Sequence, residues 1–147
     1  RILDELGVAG YPKLSGATGI HIFCRAEPGT TYADTATFCE LIGRLLLRAY
    51  PEKVTLERSV ARRGGKVYVD YLQNRRGQTI TSVYGVRPLP GAPVSAPVTW
   101  AELAGDPPRF TIRTLPARLA EVGDLFAPML NAPQDLRGAI ERLRRIM

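Results

Sequence analysis

Two short β-prone runs, residues 11–14 and 19–25, are separated by little more than the turn Ser15-Gly16-Ala17-Thr18-Gly19. A parallel pairing needs a crossover of a dozen residues or more, so this spacing predicts an antiparallel hairpin with a glycine-rich tip. Residues 2–6 read as the last turns of a helix stopped by Gly7 and Gly10. A second helix is capped by Thr31 with Asp34 three residues on. Its apolar stripe is Phe38, Leu41, Ile42, Leu45 and Leu46, and Pro51 ends it.

Residues 54–56 form a short predicted strand. Residues 66–72, after the turn Arg63-Gly64-Gly65, form a stronger one, with 79–83 as its partner across Asn74-Arg75-Arg76-Gly77. Between 88 and 97 four prolines and a glycine predict an extended course over the surface. Thr99 and Glu102 have capping-box spacing, Pro116 opens a further helix, and Pro133 opens the last, where Leu136, Ile140, Leu143 and Met147 share a face. Strands early, helices late and hairpins in place of βαβ units point to an α+β fold.

At 147 residues the expectation is one domain. With 45% hydrophobic and 23% charged residues the composition is globular, not disordered. No apolar run is long enough to span a membrane. The first residues, Arg1-Ile2-Leu3-Asp4-Glu5-Leu6, lack both an initiator Met and a signal-peptide core, and read as the middle of a helix in a longer chain. Cys24 and Cys39, 15 residues apart with a single histidine in the chain, make neither a zinc site nor a disulfide framework. They read as reduced thiols packed in an intracellular protein.

The net charge of +6 is concentrated in one stretch. Residues 58–87 hold Arg58, Arg62, Arg63, Lys66, Arg75, Arg76 and Arg87 against one acid, Asp70, while the rest of the chain is balanced. Such a block favours a polyanionic partner, because each neutralised phosphate releases counterions. Arginine supplies 17 of the 20 cations, and its planar fork suits phosphate. The plainer reading is a solvated basic face.

Three sets of residues carry candidate chemistry. Asp70 lies in Lys66-Val67-Tyr68-Val69-Asp70-Tyr71-Leu72, a run apolar on both faces and so expected to be covered on both sides. A carboxylate there needs a neighbouring arginine, a donor network or a metal. No second carboxylate lies in residues 58–87, so a two-metal site is not visible. In the turn, glycines allow close approach, amides can form an anion nest, and Ser15 and Thr18 carry hydroxyls. It lacks the lysine of a P-loop, and glycine-rich tips are common in ordinary hairpins. His21, two residues beyond, is placed to reach the same anion or to serve as a structural hydrogen-bonding residue. The third set is the basic cluster with Gln73 and Arg87, which suits a nucleoside triphosphate or a nucleic-acid end. Gln73 falls opposite Asp70 on an ideal strand, unless the strand ends or bulges there.

Pro12-Lys13-Leu14-Ser15-Gly16-Ala17-Thr18-Gly19-Ile20-His21-Ile22 resembles the second motif of the archaeo-eukaryotic primase superfamily, Ser-Gly-x-x-Gly-x-His. Val67-Tyr68-Val69-Asp70-Tyr71-Leu72-Gln73-Asn74 resembles its third, as found in the polymerase domain of bacterial ligase D. The runs around Val54 to Arg58, Arg87 to Ser95 and Arg113 to Pro116 follow in the same order. The resemblance implies a primase-polymerase-like antiparallel or mixed sheet with flanking helices, residues 1–147 being the C-terminal portion of such a domain. It implies a template-dependent nucleotidyltransferase of bacterial non-homologous end joining, filling gaps and extending ends with NTPs and Mn²⁺ or Mg²⁺.

By that resemblance Asp70 is a metal-binding, catalytic carboxylate. Ser15, Gly16, Gly19, His21 and Arg87 belong to the triphosphate site. Arg63 and Gln73 lie in the active site by the same resemblance, while Arg75 and Arg76 are assigned to the nucleic-acid surface from the basic cluster itself. Thr18 stands where many members have lysine. The first motif, a pair of metal-binding aspartates, is not among these residues. Implied partners are DNA ends or gapped duplex, NTPs, a fused or separate ligase and an end-binding protein, in the bacterial cytoplasm at the nucleoid. The alternative is a non-catalytic module that binds nucleotide or a DNA end.

Overall fold

Thr31 accepts a hydrogen bond from the Asp34 amide at 3.1 Å, and the Asp34 carboxylate takes the Thr31 amide at 2.9 Å in return. This reciprocal cap fixes the start of the longest helix in the structure, a computed structural model describing residues 1–147. The chain divides into two units. The first comprises Arg1–Val8, Ala26–Thr79 and Asp135–Met147, and the second Ala9–Arg25 and Ile80–Gln134.

In the first unit α1 (Ile2–Glu5) ends in a turn at Gly7, whose φ of +63° only glycine adopts at no cost. Helix α2 (Tyr32–Ala49) buries Phe38, while the rest of its predicted stripe is half-buried. It packs against the last helix, α5 (Leu136–Ile146), which buries Leu136, Ala139, Ile140 and Leu143. (The two intervening helices lie in the second unit.) Asp135 caps α5 by accepting from the Gly138 amide at 2.7 Å, so Pro133 precedes this helix instead of opening it. Met147, expected on the same apolar face, is exposed.

Strands β3 (Val54–Thr55) and β4 (Val67–Tyr68) pair in parallel, Val54 with Val67 and Thr55 with Tyr68, across a connection that includes the 3-10 turn Val60–Arg62. This parallel pair departs from the expectation of hairpins alone. Gly43 of α2 lies over this region, where an added Cβ would stand 3.0 Å from Leu56 and 3.5 Å from Val69. The strand expected over 66–72 is much shorter, and it is not covered on both sides, since Val67 is 66% exposed. Nor are residues 79–83 its partner. The Thr79 carbonyl is taken by the Gln73 side chain and, within the second unit, the Thr81 carbonyl by the Lys13 ammonium, so side chains replace the ladder.

The second unit contains the predicted hairpin, β1 (Tyr11–Leu14) and β2 (Ile20–Phe23), antiparallel from Tyr11↔Phe23 to Leu14↔Ile20. Residues 94–98 are extended but buried, which corrects their expected course over the surface. They run along β1, the Leu14 amide bonding to Ala96 O at 2.9 Å and the Val98 amide to Pro12 O at 3.1 Å. Prolines fit here because the position needs a carbonyl, not an N–H: Pro93 O accepts from the Arg87 amide at 2.8 Å. Helix α3 (Trp100–Leu103) carries the expected Thr99–Glu102 capping box, and α4 (Leu115–Val122) has proline in its first turn. Val94, Ala96 and Leu115 form a core with Tyr84, Phe110 and Leu119 packed on it, and Phe23 meets Phe126 edge-on at 5.2 Å. The observed fold is α+β.

Cys24 and Cys39 form no disulfide. Burial raises the Cys39 thiol to about 11 against the opposing effect of the Asn74 amide, so it is protonated at neutral pH. No helix is long and apolar enough to cross a membrane.

Candidate nucleotide and nucleic-acid site

The 15–19 turn is closed by its own serine. The Ser15 amide bonds to Gly19 O at 2.8 Å, and the buried Ser15 Oγ accepts from the Ala17 amide at 3.1 Å and the Gly19 amide at 3.0 Å. Two amides of the expected nest are therefore satisfied internally, and those of Gly16 and Thr18 take no protein acceptor. Thr18 is exposed at the tip. Gly16 has φ +72° and its Cα faces Arg87: an added Cβ would stand 2.7 Å from the arginine Cγ and 2.9 Å from the Ser95 amide nitrogen. Only glycine lets the turn rest on that side chain.

Arg87 is half-buried, donates from Nη1 to Thr81 Oγ1, and has a buried Nε with no hydrogen-bond partner. Behind the turn lies a second cation that sequence reasoning did not single out. Lys13, at 0% exposure, donates from Nζ to Thr81 O at 2.7 Å and Ser95 Oγ at 2.5 Å, and stands 5.6 Å from the Phe23 ring centroid. Burial, with the positive charge of Arg87 adding to it, lowers the Lys13 ammonium to about 8. Neither cation forms a salt bridge. The signal in the sequence was a lysine between Pro12 and Leu14 in a four-residue strand, a place where a charge must be accounted for. His21, half-buried on β2, is the register partner of Lys13.

In the first unit a cleft of about 280 Å³ is lined by Arg58, Arg63, Tyr68, Asp70, Gln73 and Arg75, together with Leu72 and Gln78. Arg63 lies over the Tyr68 ring, 4.2 Å from its centroid, held there by bonds from Nε to Glu57 O at 3.2 Å and Nη2 to Arg58 O at 2.8 Å. Asp70 is exposed, not buried, so nothing in its burial demands a partner cation. Its Oδ1 accepts from the Tyr68 hydroxyl at 3.2 Å and the Leu72 amide at 3.1 Å, and it has no salt bridge. Burial, then the Asp70 charge and hydrogen bond, push the Tyr68 phenol above its ordinary range.

Strand β4 has ended before Asp70, and the 3-10 turn Leu72–Asn74 carries Gln73 into the same cleft. Arg76, expected beside Arg75, does not line it. No three metal-ligating side chains come together anywhere in the chain. A single carboxylate does not build a metal centre, so these residues alone do not fit one.

The two arrangements, one carboxylate among arginines and one glycine turn backed by cations, lie in different units of the chain. A sequence model of the family described as LigD, primase-polymerase domain, matches residues 1–126. The chain belongs to that family. Among relatives of this LigD family member, the bifunctional non-homologous end joining protein LigD of Bacillus subtilis (strain 168) is 38% identical over 138 residues, 92% of this chain and 23% of that protein. The multifunctional non-homologous end joining protein LigD of Pseudomonas aeruginosa is 34% identical over 145 residues, 96% of this chain and 17% of that protein.

A solved structure, the polymerase domain from Mycobacterium tuberculosis ligase D in complex with DNA, superposes with a TM-score of 0.82 at 28% identity. It covers 90% of this chain and 47% of its own. The LigD-family chain thus spans about a quarter or less of the curated relatives and about half of the solved domain.

Proposed function

We propose that this chain is one portion of a primase-polymerase domain that performs template-dependent nucleotidyl transfer, filling gaps and extending DNA ends with NTPs in bacterial end joining. The observation that carries the reading is the pair of cations, Lys13 and Arg87, set without a carboxylate partner behind a turn whose Gly16 and Thr18 amides are open. Phosphoryl transfer depends on positioning and on neutralising the charge of the triphosphate, which such a cradle serves.

In this reading Ser15 shapes the turn, Gly16 and Gly19 let the phosphates approach, and Arg87 and His21 take part in holding them. Arg58, Arg63 and Arg75 line a cleft suited to nucleic-acid phosphates, Arg76 adds to the basic surface outside it, and Gln73 is positioned by its bond to Thr79 O. Asp70 offers one carboxylate to a divalent cation, Mn²⁺ or Mg²⁺. The remaining ligands are not among these residues. The partners are DNA ends or gapped duplex, NTPs, a ligase and an end-binding protein, and the place of action is the bacterial cytoplasm at the nucleoid. The relatives' names as end-joining LigD proteins support this over a non-catalytic binding module.

The test is primer extension on a gapped, 5′-phosphorylated duplex with Mn²⁺ and ribonucleotides, comparing the intact domain of which this chain is a portion with its Asp70→Ala variant. Extension that disappears in the variant is the expected result, and extension that survives removes Asp70 from the reaction. Binding of nucleotide or DNA that is indifferent to Mn²⁺, with no extension, is what the non-catalytic module predicts. A domain that neither extends nor binds overturns both readings.

A further inference from the structure

Lys13 has an odd environment for a lysine. Its side chain is fully enclosed, it meets no carboxylate, and its neighbour in charge is another cation, Arg87. Burying an ammonium in this way is costly, and a methionine would fill the space without the cost. The geometry gives the charge a task. Lys13 and Arg87 hold the same residue from two sides: Lys13 takes the main-chain oxygen of Thr81, and Arg87 takes its Oγ1. Lys13 also bonds to Ser95 Oγ, which in turn donates to Leu14 O at 2.7 Å, tying β1 to the 94–98 segment on which Gly16 rests. The residue that hydrogen-bonds the Arg87 side chain, Thr81, is therefore also held by the Lys13 ammonium.

We propose that Lys13 is a positioning residue: from inside the fold it fixes Thr81 and Ser95, and through them aims the Arg87 guanidinium at the polyphosphate bound by the 15–19 turn. The inference rests on reading that turn as a triphosphate cradle. Lys13 itself does not touch the ligand. Two like charges held close before the anion arrives form a preorganised site, whose mutual repulsion is relieved on binding.

The experiment is calorimetric titration of the chain with ATP and, separately, adenosine, both without metal, for wild type, Lys13→Met, Arg87→Ala and the double variant. The expected result is that wild type prefers ATP. Lys13→Met loses about tenfold in ATP affinity with adenosine binding unchanged, and in the Arg87→Ala background it costs nothing further. A residue with a merely structural role would not show that dependence on Arg87.

If Lys13→Met does not fold, Ser95→Ala carries the same expectation, because it removes the Oγ that Lys13 holds and leaves the Thr81 Oγ1 that Arg87 uses. A Lys13→Met protein that binds ATP as wild type does, or whose loss adds in full to that of Arg87→Ala, overturns the inference while the Arg87→Ala loss leaves the cradle standing. Wild type that does not distinguish ATP from adenosine overturns the cradle and the inference with it.

Discussion

The Cγ of Arg87 lies 2.7 Å from the point where a Cβ on Gly16 would stand, with the Ser95 amide nitrogen at 2.9 Å and the Val94 carbonyl carbon at 3.0 Å. An arginine side chain can move aside, but two backbone atoms of a buried segment cannot. Gly16 also has φ +72°, and a side chain in that region costs about 1–3 kcal/mol by itself. Gly64 has a comparable φ of +57° with nothing within 4 Å of its Cβ position, and so serves as the control for backbone strain alone. Gly16→Ala is expected to lose about 1–2 kcal/mol more than Gly64→Ala in urea denaturation. Equal losses would mean that the turn does not bear on Arg87.

Asp70 is exposed and its Oδ1 serves as a twofold acceptor. Asparagine keeps that acceptor and removes the charge. Asp70→Asn is therefore expected to change stability by no more than about 0.5 kcal/mol, since surface substitutions away from special features rarely do more. The Tyr68 phenol is raised by burial first and then by the Asp70 charge, so the variant should lower one tyrosine midpoint in an ultraviolet pH titration. A large loss of stability, or an unchanged tyrosine profile, would contradict this account of the carboxylate.

What could be read from the sequence was local. The turn at 15–19, the Thr31–Asp34 and Thr99–Glu102 caps and the α5 face apart from Met147 depend on residues a few positions apart, and each is found in the structure. What escaped was non-local. Alternation in residues 66–72 specifies side chains above and below a strand but not what covers them, so an exposed two-residue strand read as a buried long one. Four prolines pointed to the surface because proline lacks an N–H, yet residues 94–98 use carbonyls and side-chain burial to form core. Gln73 joined Asp70 only because a 3-10 turn broke the strand register. Lys13 became notable only once Thr81 and Ser95, some 70 to 80 residues away, closed over it.

The lowered pKa of Lys13 has a definite sign in the pH dependence of stability. Burial and then Arg87 bring the folded value to about 8, below the 10.5 of an ordinary lysine. Below pH 8 both states carry the proton and this group adds no slope. Between about 8 and 10.5 the unfolded chain binds a proton that the folded chain has lost, so stability rises with pH across that window. Scanning calorimetry from pH 7 to about 9.5 should show the wild-type Tm gaining on that of Lys13→Met as pH rises, the comparison cancelling the tyrosines and other groups common to both. A parallel pair of curves would place the Lys13 ammonium in a more water-like setting than the fold gives it.

The cleft in the first unit supplies a test of which arginines meet nucleic acid. Arg58, Arg63 and Arg75 line it, and none of the three forms a salt bridge that would have to be broken on binding. Arg63 is held by two carbonyls and the Tyr68 ring, so its guanidinium is already oriented, whereas the Arg75 side chain is exposed and makes no hydrogen bond or salt bridge. Arg76, one residue on, lies outside the cleft. Each phosphate that is no longer neutralised should lower the slope of log K against log salt by about 0.9 for duplex DNA. Measured on a gapped duplex by fluorescence anisotropy across a salt series, Arg75→Ala is expected to reduce the slope by about 1, and Arg76→Ala by clearly less. Arg63→Ala should reduce it by a similar amount and weaken binding more than Arg75→Ala, because a preoriented cation loses less entropy on meeting its phosphate. Equal effects at Arg75 and Arg76 would mean that the strand runs over the 75–77 turn and not through the cleft.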